Sequence, residues 1–343
     1  MHRLILTLSL TCLALSAHAH HSSIGIYDEE NPIEIEGVVT EVRWRNPHPS
    51  YTVAVTDAQG ETVDWFVETG SVSTLRLRGV DRDFIKVGDR VHLAGQSSLR
   101  GRPEIFAENM LLPDGREVLL RAVSKPYWPA GRSGNTYERG LDEERAVQGR
   151  ATANGLFRVW TPIFNDPDAY PLYSSGITQL TAHARTIKAQ YDPRASGFTE
   201  CRAKGMPYIM ASAYPLEFIA QGANILIRLE EFDTERLVHM NAPPVAVPTS
   251  YTLLGHSRGH WEGEALVVET DGIEASYLYS DGTPQSRSIK LVERFDLAED
   301  EQRLNYHISI TDPESFTETL EFSRYWVWQP DIQIQPYNCG NLQ

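Results

Sequence analysis

The chain has 343 residues, a formal net charge of −15 at pH 7, and a hydrophobic content of 41%. An acidic protein of this kind is a poor partner for nucleic acid, because nucleic-acid binding needs a basic patch. A chain of this length is expected to fold as two domains.

Residues 1–19 predict a secretory signal peptide. Arg3 precedes an apolar run from Leu4 to Leu15, and Ala17-His18-Ala19 fits an A-x-A cleavage site. The run is too short for a permanent membrane helix, so we expect an exported protein, periplasmic or secreted, without a membrane span. Cleavage would leave two cysteines, and in an oxidising compartment Cys201 and Cys339 are predicted to form a disulfide.

Residues 20–120 predict a small β domain. Five strand patterns are visible, and a short helix is expected after the third strand, within SVSTLRLRGVDRDFI. Turn residues at 57–60 and 113–115 predict two hairpins. Five strands with a helix after the third is the order of an OB-type barrel, so we predict an OB-like fold.

Residues 121–150 are charged and rich in glycine, and they predict a linker. Residues 151–343 predict a second β domain, with a preceding short helical segment in ITQLTAHARTIKAQY. From residue 207 onwards, regularly spaced strand patterns with polar turns indicate an antiparallel barrel or sandwich. We expect a lipocalin-like barrel that encloses a small apolar molecule.

The segment GHSRG at 255–259 matches the G-x-S-x-G nucleophile elbow of the α/β-hydrolases. That elbow requires a strand, a strained turn and then a helix, whereas residues 264–270 have the pattern of a strand. We therefore interpret Ser257 as part of a glycine-rich loop between two barrel strands. The chain contains none of the P-loop, C-x-x-C or H-E-x-x-H motifs, so nucleotide-driven chemistry and standard zinc proteolysis are unsupported.

The longer segment GHSRGHWEGEALVVET resembles the G-x-S-x-G-x-W-E-G-D-x-L-V-V-x-T signature of a large family of exported bacterial proteins of unknown function. Glu264 stands where that family usually has aspartate. The N-terminal part resembles a second family of unknown function, DUF6152, through its HHS start and its segments V-x-W-x-N-P-H and W-x-x-E. Together the two resemblances imply an exported, β-rich protein, and they imply no particular reaction.

Four residues of the first domain are candidate metal ligands. Cleavage after Ala19 would create an N-terminal His20-His21, whose amine and imidazole nitrogens favour copper, with zinc as the second candidate. His48 lies between two prolines and could add a nitrogen, and Glu68 could add an oxygen or orient a ligand. His21, His48 and Glu68 fall on DUF6152 motif positions. The alternative is a mobile N-terminus and a hydrogen bond between His48 and Glu68 that braces a loop.

The second domain carries the candidate residues for a small-molecule site. For a carrier, the predicted ligand contacts are Arg228, Glu230, Trp261 and Tyr306. The alternative function is an enzyme, a hydrolase, lyase or isomerase with acid–base chemistry, for which the candidate catalytic residues are His239, His256, Glu293 and Arg236. For Trp261, the alternative to a ligand contact is a structural turn at Trp261-Glu262-Gly263. For the whole protein, the third alternative is a structural envelope protein without a ligand.

Overall fold

The computed structural model describes residues 26–122, 124–129, 136–164, 166, 169, 176–192, 201–243 and 249–339. The predicted signal peptide and the candidate ligands His20 and His21 lie outside the described residues. The described chain is mainly β, as predicted, and its strands form two large sheets and one small one. No helix among the described residues is long and apolar enough to cross a membrane.

The first sheet has six strands in the order β3-β2-β1-β4-β5-β6. They are β1 (Tyr27–Arg43), β2 (Ser50–Thr56), β3 (Thr62–Glu68), β4 (Arg90–Ser98), β5 (Glu104–Leu111) and β6 (Glu117–Leu119). A parallel pairing of β3 with β5 closes a ring of five strands. The predicted helix is α1 (Val72–Leu77), which begins after Ser71 because the Ser71 side chain accepts a hydrogen bond from the Thr74 backbone N–H.

Strand β1 serves both sides of this ring. Its first part pairs with β4 and its last part pairs with β2, and the two pairings meet at Val38. A Cβ atom at Gly37 would lie 2.3 Å from the Ala54 carbonyl oxygen, so only glycine fits where the two strands approach closely. The ring is filled by side chains such as Val53, Val67 and Ile105, each buried, and each such side chain stabilises the fold by ~1.5–3 kcal/mol.

One helix lies between the large sheets in sequence, and another lies between the first two strands of the second sheet, Val159–Trp160 and Leu216–Gln221. Helix α2 (Glu143–Thr152) begins after Asp142, whose side chain accepts a hydrogen bond from the Arg145 backbone N–H. It overlaps the predicted linker, where the sequence pattern did not indicate a helix. Helix α3 (Ala182–Ala189) confirms the predicted helical segment and begins after Thr181, which caps it in the same way.

The second large sheet has nine strands, and β13 (Ser276–Tyr277) and β14 (Pro284–Gln285) form a separate pair. The nine are β7 (Val159–Trp160), β8 (Leu216–Gln221), β9 (Asn224–Leu229), β10 (Thr234–Met240), β11 (His256–Glu262), β12 (Ala265–Asp271), β15 (Lys290–Leu297), β16 (Arg303–Thr311) and β17 (Leu320–Val327). Thr161, just after β7, bridges Val327 at the end of β17 through two backbone hydrogen bonds of 2.8 and 2.9 Å. The sheet is therefore nearly closed and barrel-like.

Two features of this sheet differ from the prediction. Strands β10 and β11 pair in parallel, with Val238 opposite Ser257, so the sheet is not wholly antiparallel. Residues 256–259 of the GHSRG segment lie in β11, and not in the predicted loop between two strands. Gly255, with a φ of +67°, makes the turn that precedes this strand. Gly259 lies within it, where a Cβ atom would meet the Val238 side chain at 2.6 Å.

The two large sheets are joined by contacts between side chains and by the chain end. Arg76 of α1 donates hydrogen bonds from Nη2 to both carboxylate oxygens of Glu230, at 2.9 and 2.7 Å. The predicted disulfide between Cys201 and Cys339 is formed, with a Cα–Cα distance of 5.9 Å. Cys339 also forms a β-bridge with Asn46, in the loop that follows β1, so the C-terminal residues lie beside that loop.

Candidate functional site

The loop between β1 and β2 holds His48 against the end of β3. His48 is partly buried, and its Nδ1 lies 2.8 Å from the carbonyl oxygen of Thr69. A carbonyl only accepts hydrogen bonds, so Nδ1 carries the proton and Nε2 carries the lone pair of the neutral ring. Burial lowers the pKa of His48 to about 4, and the ring is therefore neutral at pH 7. Metal-binding histidines have this arrangement, with one nitrogen held by a backbone carbonyl.

Glu68 is the last residue of β3, next to Thr69 in the chain, and is 7% exposed. Its Oε2 accepts a 3.3 Å hydrogen bond from the Tyr27 hydroxyl. Burial raises the pKa of Glu68 from its ordinary value near 4.5 to about 8, although the Tyr27 hydrogen bond acts in the opposite direction. Glu68 thus accepts a hydrogen bond from Tyr27, and His48 donates one to the Thr69 carbonyl.

The ring of Phe106 connects these groups. It stacks on Tyr27 with 5.4 Å between centroids, and it meets the His48 ring edge-on at 6.1 Å. The guanidinium carbon of Arg121 lies 4.4 Å from the Phe106 centroid, and its charge lowers the pKa of both His48 and Glu68. A histidine and a carboxyl group with strongly shifted pKa values therefore lie around one buried aromatic ring, which is a feature typical of functional sites.

The described residues contribute two of the four predicted metal ligands, His48 and Glu68. No group of three or more His, Cys, Asp or Glu side chains that could hold a metal occurs in the part of the chain that the structure describes. His20 and His21 lie outside that part. A metal ion at His48 would need further donors from the N-terminal segment or from solvent.

The interior of the second sheet contains a buried ion pair. Arg236 of β10 and Glu293 of β15 are 2% and 0% exposed, and the guanidinium binds both carboxylate oxygens. The Tyr306 hydroxyl donates to the same carboxylate at 3.0 Å, and Arg236 also donates to Ser257 Oγ at 2.9 Å and Thr270 Oγ1 at 2.7 Å. Every charged atom of the pair has a partner, so the network can be tolerated in a nonpolar interior.

Ser257 belongs to this network and not to a catalytic triad. Its Oγ contacts Arg236 and, at 3.0 Å, Thr270 Oγ1. Strand β11 continues from it into β12, so no helix follows the serine as a nucleophile elbow requires. The interpretation of Ser257 as a loop residue is wrong, because it is a buried strand residue, but the elbow geometry is absent as expected.

The four candidate catalytic residues fall in two places. Arg236 and Glu293 are in contact inside the sheet, whereas His239 and His256 are exposed. His239 is offset from Arg236 by three positions along β10 and therefore points to the opposite face. His256 Nε2 lies 2.9 Å from Ser250 Oγ. The structure does not bring the two histidines together with the buried ion pair.

The four candidate ligand contacts are also dispersed. Arg228 binds Glu217 at 2.5 Å on a partly exposed surface, and Glu230 is committed to Arg76. Trp261 is 42% exposed at the end of β11, while Tyr306 is buried beside the ion pair. Of these residues, only Tyr306 lines the interior of the nearly closed sheet together with Arg236 and Glu293.

The sequence analysis missed the residues that hold the first-domain cluster in place. Tyr27, Phe106, Arg121 and the Thr69 carbonyl had no motif around them. Tyr27 and Phe106 come from strands that are far apart in the chain. The predicted hairpin around residues 113–115 placed Phe106 on a strand, but only the closure of the ring brings it to His48.

The fold and this cluster define a mainly β protein with a partly buried histidine and a buried carboxyl group at one end of its first sheet. Residues 8–104 match the model of a family of unknown function (DUF6152). That region includes β1 to β4, the His48 loop and Glu68, and it does not reach the second large sheet. No curated protein matches the chain.

Proposed function

We propose that this protein is exported and binds a transition-metal ion in its N-terminal domain, at His48 and Glu68, with His20 and His21 as further ligands. The observation that carries the proposal is the 2.8 Å contact between His48 Nδ1 and the Thr69 carbonyl oxygen. The Thr69 carbonyl fixes the proton on Nδ1, which leaves Nε2 as the coordinating nitrogen. Zinc and copper are the candidate metals, because both accept imidazole and carboxylate ligands.

The short length of chain between His21 and the described residues supports the proposal. His21 precedes Ile26 by five residues, and an extended chain spans at most about 3.6 Å per residue, so the two lie within about 18 Å. Ile26 and Tyr27 pack on Phe106, which is in contact with His48. The chain length between His21 and Ile26 is therefore compatible with a ligand role for His21.

Calorimetric titration of the exported protein with zinc and with copper tests the proposal. The N-terminus is first established by intact mass, because cleavage elsewhere changes the ligand set. We expect one-to-one binding that His48→Ala abolishes. His92→Ala is the matched control, since His92 is a histidine of the same sheet that contacts a glutamate, Glu34, at 2.7 Å. Equal binding by wild type and His48→Ala, or no binding by wild type, contradicts the proposal.

The fold assignments that accompany this function are also proposals. The five-stranded ring with α1 after β3 supports an OB-like domain over residues 20–120. The nearly closed sheet supports a lipocalin-like domain over residues 151–343. Its GHSRGHWEGEALVVET segment supports membership of the exported family that it resembles. The signal peptide pattern supports a periplasmic or secreted location.

One observation favours a small-molecule site inside the second sheet as a second function. Trp326 of β17 is 1% exposed, and its indole N–H has no hydrogen-bond acceptor among the described residues. Its ring lies 5.5 Å from Tyr306, beside the buried ion pair. A small apolar molecule with one acceptor atom would satisfy this N–H.

Displacement of an apolar fluorescent probe tests this second function. We expect saturable binding to the wild-type protein and weaker binding to Trp326→Phe, which keeps an aromatic side chain but replaces the indole with a smaller phenyl ring that has no N–H. Trp261→Phe, at the exposed end of β11, is the control. Binding that is unchanged in Trp326→Phe, or absent from the wild type, excludes the site.

A further inference from the structure

The C-terminal residues cross from the second sheet to the loop that carries His48. We call residues 331–339 the C-terminal strap. At its start, Asp331 is 2% exposed and its carboxylate binds Arg139 and the backbone N–H of Asp142. Farther along, the backbone N–H groups of Gln335 and Tyr337 donate to Glu230 Oε2 and Asp233 Oδ1, at 3.0 and 2.9 Å.

The end of the strap is fixed to the His48 loop. The Asn46 side chain donates a hydrogen bond to the Tyr337 carbonyl, and Asn46 forms a β-bridge with Cys339. Asn46 precedes His48 by two residues, so the strap holds the same short loop that presents the His48 ring. Beyond these contacts, the Cys201–Cys339 disulfide tethers the strap covalently.

We infer that the Cys201–Cys339 disulfide controls metal affinity at His48, through the contact of the C-terminal strap with Asn46. This inference rests on metal binding at His48, the proposed function. Both cysteines are partly exposed, so a reductant can reach the bond. Without the disulfide, the strap end loses its covalent link to Cys201, and among the described residues the contacts of Asn46 with Tyr337 and Cys339 join it to the loop. Release of the strap would then let the His48 loop relax.

The switching reaction is thiol–disulfide exchange with an external dithiol. One thiolate of the dithiol attacks Sγ of Cys201 or Cys339, the bond between the two cysteine sulfurs breaks, and a mixed disulfide forms. The second thiolate of the dithiol displaces the protein sulfur. The dithiol ends as a disulfide, and the two cysteines take up two electrons and two protons as thiols.

Two measurements on the full mature chain test the inference. In the first, zinc is titrated into the oxidised wild type and into Cys201→Ser/Cys339→Ser, which has no thiol that could bind zinc itself. We expect a dissociation constant at least tenfold higher for the double variant. Asp331→Asn, at the other end of the strap, is the control and is expected to bind within twofold of wild type.

The second measurement is hydrogen exchange of the metal-free protein before and after reduction with a phosphine, and it does not depend on the double variant folding. We expect faster exchange in residues 335–339 and in the loop at 44–49. Unchanged exchange there overturns the inference, as does an unchanged zinc affinity in a folded double variant. A wild type that binds no zinc overturns the proposed function instead, and the exchange result still reports whether the disulfide holds the loop.

Discussion

Replacing Glu68 with glutamine tests whether the buried Glu68 side chain is protonated in the folded, metal-free protein. Glutamine keeps the shape of a protonated glutamate and can still accept the hydrogen bond of Tyr27. Because burial raises the pKa of Glu68 to about 8, the wild-type side chain is mainly neutral in the folded protein at pH 7. In the unfolded chain it ionises near pH 4.5. Ionisation therefore favours the unfolded state over this interval.

The sign and size of the effect follow from proton linkage. Between pH 4.5 and 8 the folded wild type binds one more proton at Glu68 than the unfolded chain does, so its stability falls as the pH rises. The loss is about 1.4 kcal/mol per pH unit. Glu68→Gln does not titrate, so we expect it to equal wild type at pH 4 and to exceed it by about 3 kcal/mol at pH 7.

Urea denaturation in the presence of a chelator, at pH 4 and pH 7, measures the difference. The pH dependence that comes from His48 is common to both proteins and cancels. Glu61→Gln, at an exposed glutamate of the β2–β3 turn, serves as the control and is expected to match wild type at both pH values. A Glu68→Gln protein that is no more stable than wild type at pH 7 refutes the argument that a buried, protonated Glu68 exists.

Four further outcomes are expected from the second sheet and the disulfide. Glu293→Gln should lower the free energy of unfolding by about 3–5 kcal/mol, because Arg236 would remain buried without its counter-charge; a loss below 1 kcal/mol in urea denaturation contradicts this. Ser257→Ala should cost about 1–3 kcal/mol by the same assay, since Arg236 Nε loses its acceptor. A serine-directed fluorophosphonate should leave the wild type unlabelled, and labelling of Ser257 would contradict its structural role. Cys201→Ser/Cys339→Ser should lose about 5 kcal/mol, given the 138-residue separation, and an unchanged unfolding midpoint would count against that figure.

Much of the fold could be predicted from local patterns. The hairpins around residues 57–60 and 113–115 and the helix after β3 are all formed, because turn chemistry and alternation act over a few residues. Strand β11 could not be predicted in this way. Position 259 of this strand is a glycine because the Val238 side chain approaches it closely. In the sequence alone, a glycine required by such a tertiary contact looks the same as a glycine in a turn.

The candidate sites could be predicted only in part. The sequence analysis grouped His48 and Glu68 as candidate ligands of one site, and their segments are neighbours in the structure, because β2 and β3 pair with Ser50 opposite Glu68. The environment of the pair depends on Tyr27 and Phe106, whose contact is set by closure of the ring. Glu230 was expected to line the barrel, yet it pairs with Arg76, 154 residues away, and no local pattern encodes such a contact.

The most direct test of the account is a crystal structure of the mature protein with zinc, with anomalous data on both sides of the zinc absorption edge. The account predicts one anomalous peak about 2.0–2.1 Å from His48 Nε2, with His48 Nδ1 still bound to the Thr69 carbonyl. The absence of an anomalous peak at His48, in crystals grown with excess zinc, would contradict a metal site in this domain.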